Sequence, residues 1–514
     1  MANRAVEIGP AVALGLIIAA LVLGSAAIVA LSADDWVLNP SDWAAVRFTV
    51  VQAALSAGLS AVLAIPLARA LHRRRFLGRA GLIRLLAAPF VLPVVVAVLG
   101  LLAVFGKAGP VNMALTNAGL PPLSIFGLHG VVLAHVFLNL PLATRMILHG
   151  WQAIPAERFR LAASLGMPHP TLFWHLEWPM LRAILPGIAA MIFLICLTSF
   201  AIALTLGGGP KFSTVELAIY QALRFEFDLG RAALLATLQF GLCAAVTLGS
   251  LQLTLPSAFG AGLESVRFQV SVGGWRRGAD YGVISASALF LMAPLIAVVA
   301  AGLPGLMQLP AAVWPAAARS VGIAVLSAVM ATVAALTLAQ AAARHPSGWF
   351  DLAAMLPLSA SSLVLGTGLF LAVRPFASPE SITVPITILV NTTLTVPFLF
   401  RLLLPEARQL RADYEQLSRS LGLTGLSRLR LVTLPRLAGP LGFGAGLAAA
   451  LSMGDLGVIA LFAGDQGATL PLIVQRLMGA YRMEAAAAVS LILVVLSYAL
   501  FWIFDRLGHQ YADA

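Results

Sequence analysis

The chain has 514 residues, of which 60% are hydrophobic and only 10% charged, with a mean hydropathy of +0.95 and a formal net charge of +11. Soluble globular domains carry about a quarter charged residues, so a soluble fold is excluded. With Gly 45 and Cys 2 among the 514 residues, so are a collagen-like chain and a disulfide scaffold. What remains is an all-α polytopic membrane protein.

A helix rising about 1.5 Å per residue crosses about 30 Å of hydrocarbon in about 20 residues, so Asp, Glu, Lys and Arg act as punctuation. Charge-free stretches at 8–33, 48–68, 85–106, 108–144, 183–210 and 232–263 predict one series of spans. A second series lies at 281–318, 320–343, 352–373, 381–400, 437–454 and 485–504. The stretch from 108 has room for a Pro/Gly-rich loop before its helix, placed near 127–147. The stretch at 437–454 is interrupted by Asp455 and is expected to continue to Leu461. This predicts twelve helices, six in each half. The first stretch is too long for the apolar core of a signal peptide and is followed by Asp34 and Asp35 without a cleavage site, so it reads as a retained anchor. Cys196 and Cys243 both lie in apolar stretches and read as packing residues.

Most of the 32 Lys and Arg fall at one membrane face. They include Arg69, Arg73, Arg74, Arg75, Arg79 and Arg84, then Arg158, Arg160 and Arg182, then Arg401 through Arg436. The positive-inside rule makes that face cytoplasmic and places both termini inside; Lys107 and Lys211 fall outside. The net charge therefore reads as topology. No basic domain stands free of the lipid bilayer to bind nucleic acid, and the arginines from Arg69 to Arg84 read mainly as topology signals and contacts with anionic lipid.

The sequence repeats. Pro141 matches Pro397 and Arg145 matches Arg401; Ser164, Leu165 and Gly166 match Ser420, Leu421 and Gly422; Pro179 matches Pro435. All share one offset. Upstream the offset is larger, pairing Pro89 and Gly100 with Pro357 and Gly368, which suggests a shorter outer loop in the first half or a longer path in the second. A tandem six-helix unit follows, with both copies in the same orientation because an even number of spans separates them. The predicted division is 1–46 for the first helix and outer loop, 47–255 for the first repeat and 256–280 for a Gly-rich cytoplasmic tether. It continues with 281–318 for helix seven and its outer loop, 319–507 for the second repeat and 508–514 for a tail.

The repeat is clearest in a cytoplasmic loop, 157–179 in the first half and 413–435 in the second. RLAASLG (Arg160 to Gly166) is followed after nine residues by LEWP (Leu176 to Pro179); QLSRSLG (Gln416 to Gly422) is followed after nine by VTLP (Val432 to Pro435). Leu161 and Leu165 are four apart, as are Leu417 and Leu421, giving each segment an apolar face, with Glu157 and Asp413 among the polar surroundings. Gly166 and Gly422 sit where a short helix would end left-handed, and Pro179 and Pro435 would stop the following segment before the next membrane helix.

That spacing resembles the EAA loop of ABC importer permeases, of the type I membrane fold. The resemblance implies that Glu157, Leu161, Ala162, Leu165, Gly166 and Pro179, with Asp413, Leu417, Leu421, Gly422 and Pro435, couple the chain to an ATPase. Arg160 and Gln416 stand where that family has its Glu, which puts a salt bridge from that position in doubt. The stretches RALHRRRFLGR (69–79), VLAHVFLNLPLATR (132–145), EWP (177–179), LGGGPKFSTVELAIYQAL (206–223) and LSMGDLG (451–457) are similar to the fused thiamine/thiamine pyrophosphate branch of that superfamily, over most of 47–505. Membership implies two cytoplasmic ATPase subunits that use the ATP, a periplasmic substrate-binding protein, and a place in the bacterial inner membrane.

No G-x-x-x-x-G-K-[ST] occurs, so no P-loop of this chain cradles ATP phosphates; no catalytic residue, bound cofactor or metal site is expected. His135 and Asn139 lie one turn apart on helix four, with Asn391 and Thr395 at the matching positions, and Asp455 is an ionisable group at membrane depth. His135, Asn139, Asn391 and Asp455 are therefore candidate pathway residues, against interhelical polar contacts or, for Asp455, helix capping. Gly442 and Gly446 predict close helix packing. Lys211, Glu216, Glu226 and Asp228 read as an outer loop, either solvated or docking a binding protein. The rivals are an ion-driven transporter of the major facilitator type and, among ABC permeases, iron(III) or polyamine carriers.

Overall fold

The computed structural model describes residues 2–33, 36–250, 253, 274–345, 348–464 and 467–513. Among these no strand occurs, and 11 helices are long and apolar enough to cross a membrane. A further pair, Trp349–Ser359 and Ser362–Val373, is bent by 89° and brings the number to 12 if taken as one span.

The first half contains α1 (Ala2–Leu31), α2 (Pro40–Arg73), α3 (Arg79–Leu85), α4 (Val94–Phe105), α5 (Pro110–Asn117) and α6 (Leu128–Ala153). It continues with α7 (Ala156–Ser164), α8 (His169–Leu172), α9 (Trp178–Leu197), α10 (Ala201–Leu206), α11 (Val215–Gln221) and α12 (Leu229–Ser250). The second half repeats the series: α13 (Trp275–Gly302), α14 (Val313–Arg344), α15 (Trp349–Met355), α16 (Ser362–Val373) and α17 (Thr383–Ser420). Then come α18 (Gly425–Arg428), α19 (Leu434–Met453), α20 (Gly457–Phe462), α21 (Leu470–Gly479) and α22 (Met483–Asp513). The duplication reaches single hydrogen bonds. The Val215 N–H donates to Thr49 Oγ1 at 2.9 Å, and the Leu470 N–H donates to Ser320 Oγ at 2.9 Å, joining the matching helices of each half. Among the described residues two non-glycines have left-handed backbones, Phe227 (φ 55°) and Tyr481 (φ 58°), and each stands just before the last helix of its half.

The two outer helices are exchanged. α1 packs on α16 of the second half, and α13 packs on α4 of the first. Glycines permit it: a Cβ on Gly100 would lie 2.6 Å from the Pro294 carbonyl oxygen, and one on Gly368 would lie 2.6 Å from Ser25 Cβ. These matched glycines were visible in the repeat, and close helix approach is why small residues stand there. Gly442 and Gly446 likewise let α19 approach α22, where any Cβ would strike the Phe504 or Phe501 carbonyl.

Several expectations change. The repeat offset drifts because the first half has the longer outer path, which holds α5, the reverse of the direction inferred from sequence. α2 begins at Pro40, α13 at Trp275 and α14 at Val313, all earlier than the predicted divisions, and α22 runs to Asp513 where a tail was expected. Hydropathy locates the hydrocarbon core; helical hydrogen bonding continues past it into polar residues. Of the expected tether at 256–280, residues 256–273 lie outside the described residues. The span expected at 183–210 breaks after Leu197 and resumes as α10; α19 breaks at Gly454 and resumes as α20.

Candidate functional site

The broken helices meet at the centre. A cavity of about 380 Å³ is lined from both halves, and it brings together all four candidate pathway residues, His135, Asn139, Asn391 and Asp455. Its walls come in matched pairs: His135 with Asn391, Asn139 with Thr395, Ser199 with Asp455, Phe200 with Leu456. Most of its lining is apolar, so the few polar atoms stand out.

Hydrogen bonds, some within a helix and some between helices, engage part of each polar group. Asn139 Nδ2 donates to the His135 carbonyl at 2.9 Å and meets Cys196 Sγ at 3.5 Å. Asn391 Nδ2 donates to Ser452 Oγ at 2.9 Å. His135 Nδ1 lies 3.4 Å from Ser56 Oγ, while its Nε2 has no partner. Asp455 Oδ1 accepts from the Gly457 N–H at 3.2 Å, which caps α20; Oδ2 is buried without a partner. Capping and cavity lining, weighed against each other in the sequence, coexist in this one carboxylate.

At one end of the bundle α7 carries the first loop motif. Leu161 (60% exposed) and Leu165 face away from the protein, as do Leu417 and Leu421 (63% exposed) on the second copy. Ala162 is buried, with Phe159 beside it, and Glu157 is exposed and pairs weakly with Arg160 at 3.9 Å. Gly166 (φ 63°) and Gly422 (φ 64°) end the helices left-handed. The Met167 N–H reaches back to the Ala162 carbonyl, and the Leu423 N–H to that of Ser418, in Schellman caps. The second segment is no separate helix. α17 runs unbroken through Asp413, because Arg411 stands where Pro155 breaks α6 from α7.

Pro179 and Pro435 open α9 and α19; they do not stop the preceding segment. Each follows a π turn, Phe173–Glu177 or Leu429–Thr433, whose extra residue makes room for the proline ring against the preceding turn. Glu177, at the end of the first π turn, is buried and forms ion pairs with Arg69 at 2.7 Å and Arg73 at 3.1 Å. Arg74 pairs with Asp280 at 2.7 Å, and Arg79 Nε donates to the Leu71 carbonyl at 3.0 Å. This arginine cluster, read from sequence as lipid-facing, is largely turned inward. The sequence carried one signal for it: EWP puts a carboxylate beside a membrane-helix start, where it needs cations.

Phe159 also went unnoticed; its ring lies 5.7 Å from that of His72, which stacks on Trp151, and it ties α7 to α2. Glu415 takes the matching place and binds Arg428 at 2.7 Å and Arg419 at 2.8 Å. The carboxylate missing at Gln416 is thus present one residue earlier. The outer segment is not a uniformly solvated loop either. Glu216 is fully buried, whereas Glu226 and Asp228 both bind Arg231.

Two equivalent bundles around a shared cavity, with a short exposed helix motif from each at one face, define a multi-pass membrane permease of the ABC importer class. No family model matches the chain. It is 39% identical over 497 residues to the thiamine transport system permease protein ThiP of Escherichia coli, covering 92% of this chain and 91% of that protein. The thiamine transport system permease protein ThiP of Haemophilus influenzae is 33% identical over 483 residues, covering 91% and 88%. The chain belongs to the family of thiamine transport system permeases. The molybdenum transport system permease protein ModB of Mycobacterium bovis is 32% identical over 246 residues, which is 90% of that protein but 47% of this chain, as expected if one repeat corresponds to a whole single-unit permease.

Proposed function

We propose that this chain is the membrane pathway of an importer for thiamine and thiamine pyrophosphate, served by a periplasmic binding protein and driven by two copies of a cytoplasmic ATPase that alone uses ATP. The observation that carries the substrate reading, beside the family, is Asp455, among the described residues the one acidic side chain lining a mostly apolar cavity, whose Oδ2 has no hydrogen-bond partner. A buried carboxylate oxygen without a partner is costly, and the cationic thiazolium of thiamine would relieve it.

Coupling rests on Leu161, Leu165, Leu417 and Leu421, four exposed leucines on two capped helices. Burying a leucine side chain contributes about 1.5–3 kcal/mol, so the two on each motif would give each ATPase a foothold. ATP binding would draw the two helices together and rock the halves, opening the cavity outward; hydrolysis would reset it. Glu157 and Asp413 would meet cations at the rim of that contact. The membrane is the bacterial inner membrane with both termini cytoplasmic, as the cation distribution favours.

The test is uptake of labelled thiamine by liposomes holding the full complex, with thiamine phosphates as competitors. ATP-dependent uptake is expected. Its absence would retire thiamine as cargo, and uptake by this chain without the ATPase or nucleotide would end the ABC reading.

A further inference from the structure

A set of three rings joins the outer surface to the cavity. Phe225 is 67% exposed at the outer end of the first half. Its ring centroid lies 5.7 Å from that of Tyr220, edge to face, and Tyr220 lies 5.1 Å from Phe200, which lines the cavity with Asp455. All three belong to the first half; the matching positions, Leu456, Gln475 and Gly479, hold no ring.

The backbone around them is specialised as well. Between α11 and Phe227 the first half has one residue more than the second, since Val215 matches Leu470 but Phe227 matches Tyr481. That residue is absorbed as a π turn, Ala222–Glu226, with no counterpart after α21. A widened turn brings residues five apart onto one face, and Tyr220 and Phe225 are five apart. π turns of this kind recur at functional sites. Next to Phe225, Arg224 Nη2 donates to the Ala463 carbonyl at 3.3 Å, across to the end of α20 in the second half. Rings and clasp together sit where the two halves meet above the cavity.

We propose that Phe225, Tyr220 and Phe200 are an aromatic relay that passes a flat aromatic cation from the outer surface to Asp455. Pyrimidine and thiazolium rings offer faces to stack on, and the cation gains further from ring quadrupoles. The Arg224 clasp would release as the halves part. This inference rests on the thiamine reading and adds the route to it.

The test compares Phe200→Leu, Tyr220→Leu and Phe225→Leu with the ring-preserving Phe200→Tyr, Tyr220→Phe and Phe225→Trp, each in the complete complex with loaded binding protein. Thiamine imported per ATP hydrolysed is the readout, because affinity for free substrate belongs to the binding protein. Leucine variants should lose about five-fold or more, ring-preserving ones less than about two-fold, with stimulated ATPase unchanged. Phe225 is exposed, so its variants fold even if those at Phe200 do not. Import ratios equal to wild type in the leucine variants, or equal losses in both sets, would overturn the relay while wild-type import kept the thiamine reading intact. Loss of binding-protein stimulation in Phe225→Leu would make that ring a docking contact and also overturn it. A wild-type complex that imports no thiamine would remove both.

Discussion

Asp455 lines the cavity, caps a helix through one oxygen and leaves the other buried without a partner. Asp455→Asn keeps an acceptor for the Gly457 N–H and removes the charge. Hydrogen bonds to charged groups contribute about 1.5–3 kcal/mol, so thiamine import should fall about ten-fold or more while ATPase activity and membrane level hold; undiminished import would dismiss the carboxylate from cation recognition. Glu177 makes the opposite case, a buried charge whose partners lie within the chain. Glu177→Thr strands Arg69 and Arg73 and should cost on the order of 3 kcal/mol. The second half solves the same place with Gln340, Arg344 and Thr433. Adding Arg69→Gln to Glu177→Thr reproduces that set and should recover much of the loss in Tm in detergent. A double variant no more stable than the single would show that the ion pair is not the source of the loss.

At the scale of elements, the two loop-motif segments share their caps but differ in attachment. α7 is hinged at Ile154–Pro155 and held by an aromatic contact to α2; its counterpart extends rigidly from α17 and is held by the Glu415 ion pairs. The left-handed turn at Gly166 sets where α7 ends, and a β-branched residue there is strongly disfavoured whereas Asn is tolerated. Gly166→Asn should therefore support near-normal import, and Gly166→Val should insert in the membrane yet hydrolyse ATP without import. Equal import by the two would mean that the turn does not position the helix. Gly166→Asp or Gly422→Asp, which add a charge to the docking end, should likewise uncouple.

At the scale of the molecule, the halves are held together by exchange of α1 and α13 as well as by the cavity walls. Gly368→Leu drives a side chain into Ser25, and overpacking costs about 1–3 kcal/mol; Gly24, whose added Cβ would meet nothing within 4 Å, gives the control. Gly368→Leu should lower Tm well below that of Gly24→Leu. Matching values would mean that α1 contributes little to holding the second half.

The sequence by itself determined the membrane class, the span count, the duplication and both capped loop motifs. Each of these is local or periodic: charge-free length, a constant offset, two leucines four apart with a glycine directly after the second. It also named the four polar residues that meet in the cavity, since ionisable and amide groups at membrane depth are rare enough to notice. Tertiary structure alone decided their partners. Which Asp455 oxygen stays bare, that Glu177 gathers Arg69 and Arg73, that Glu216 is buried, and that three rings line up from surface to cavity all depend on helices brought together from distant parts of the chain. Proximity in space between remote residues leaves no periodic trace in one sequence, and that is the physical reason these features became legible only in the folded molecule.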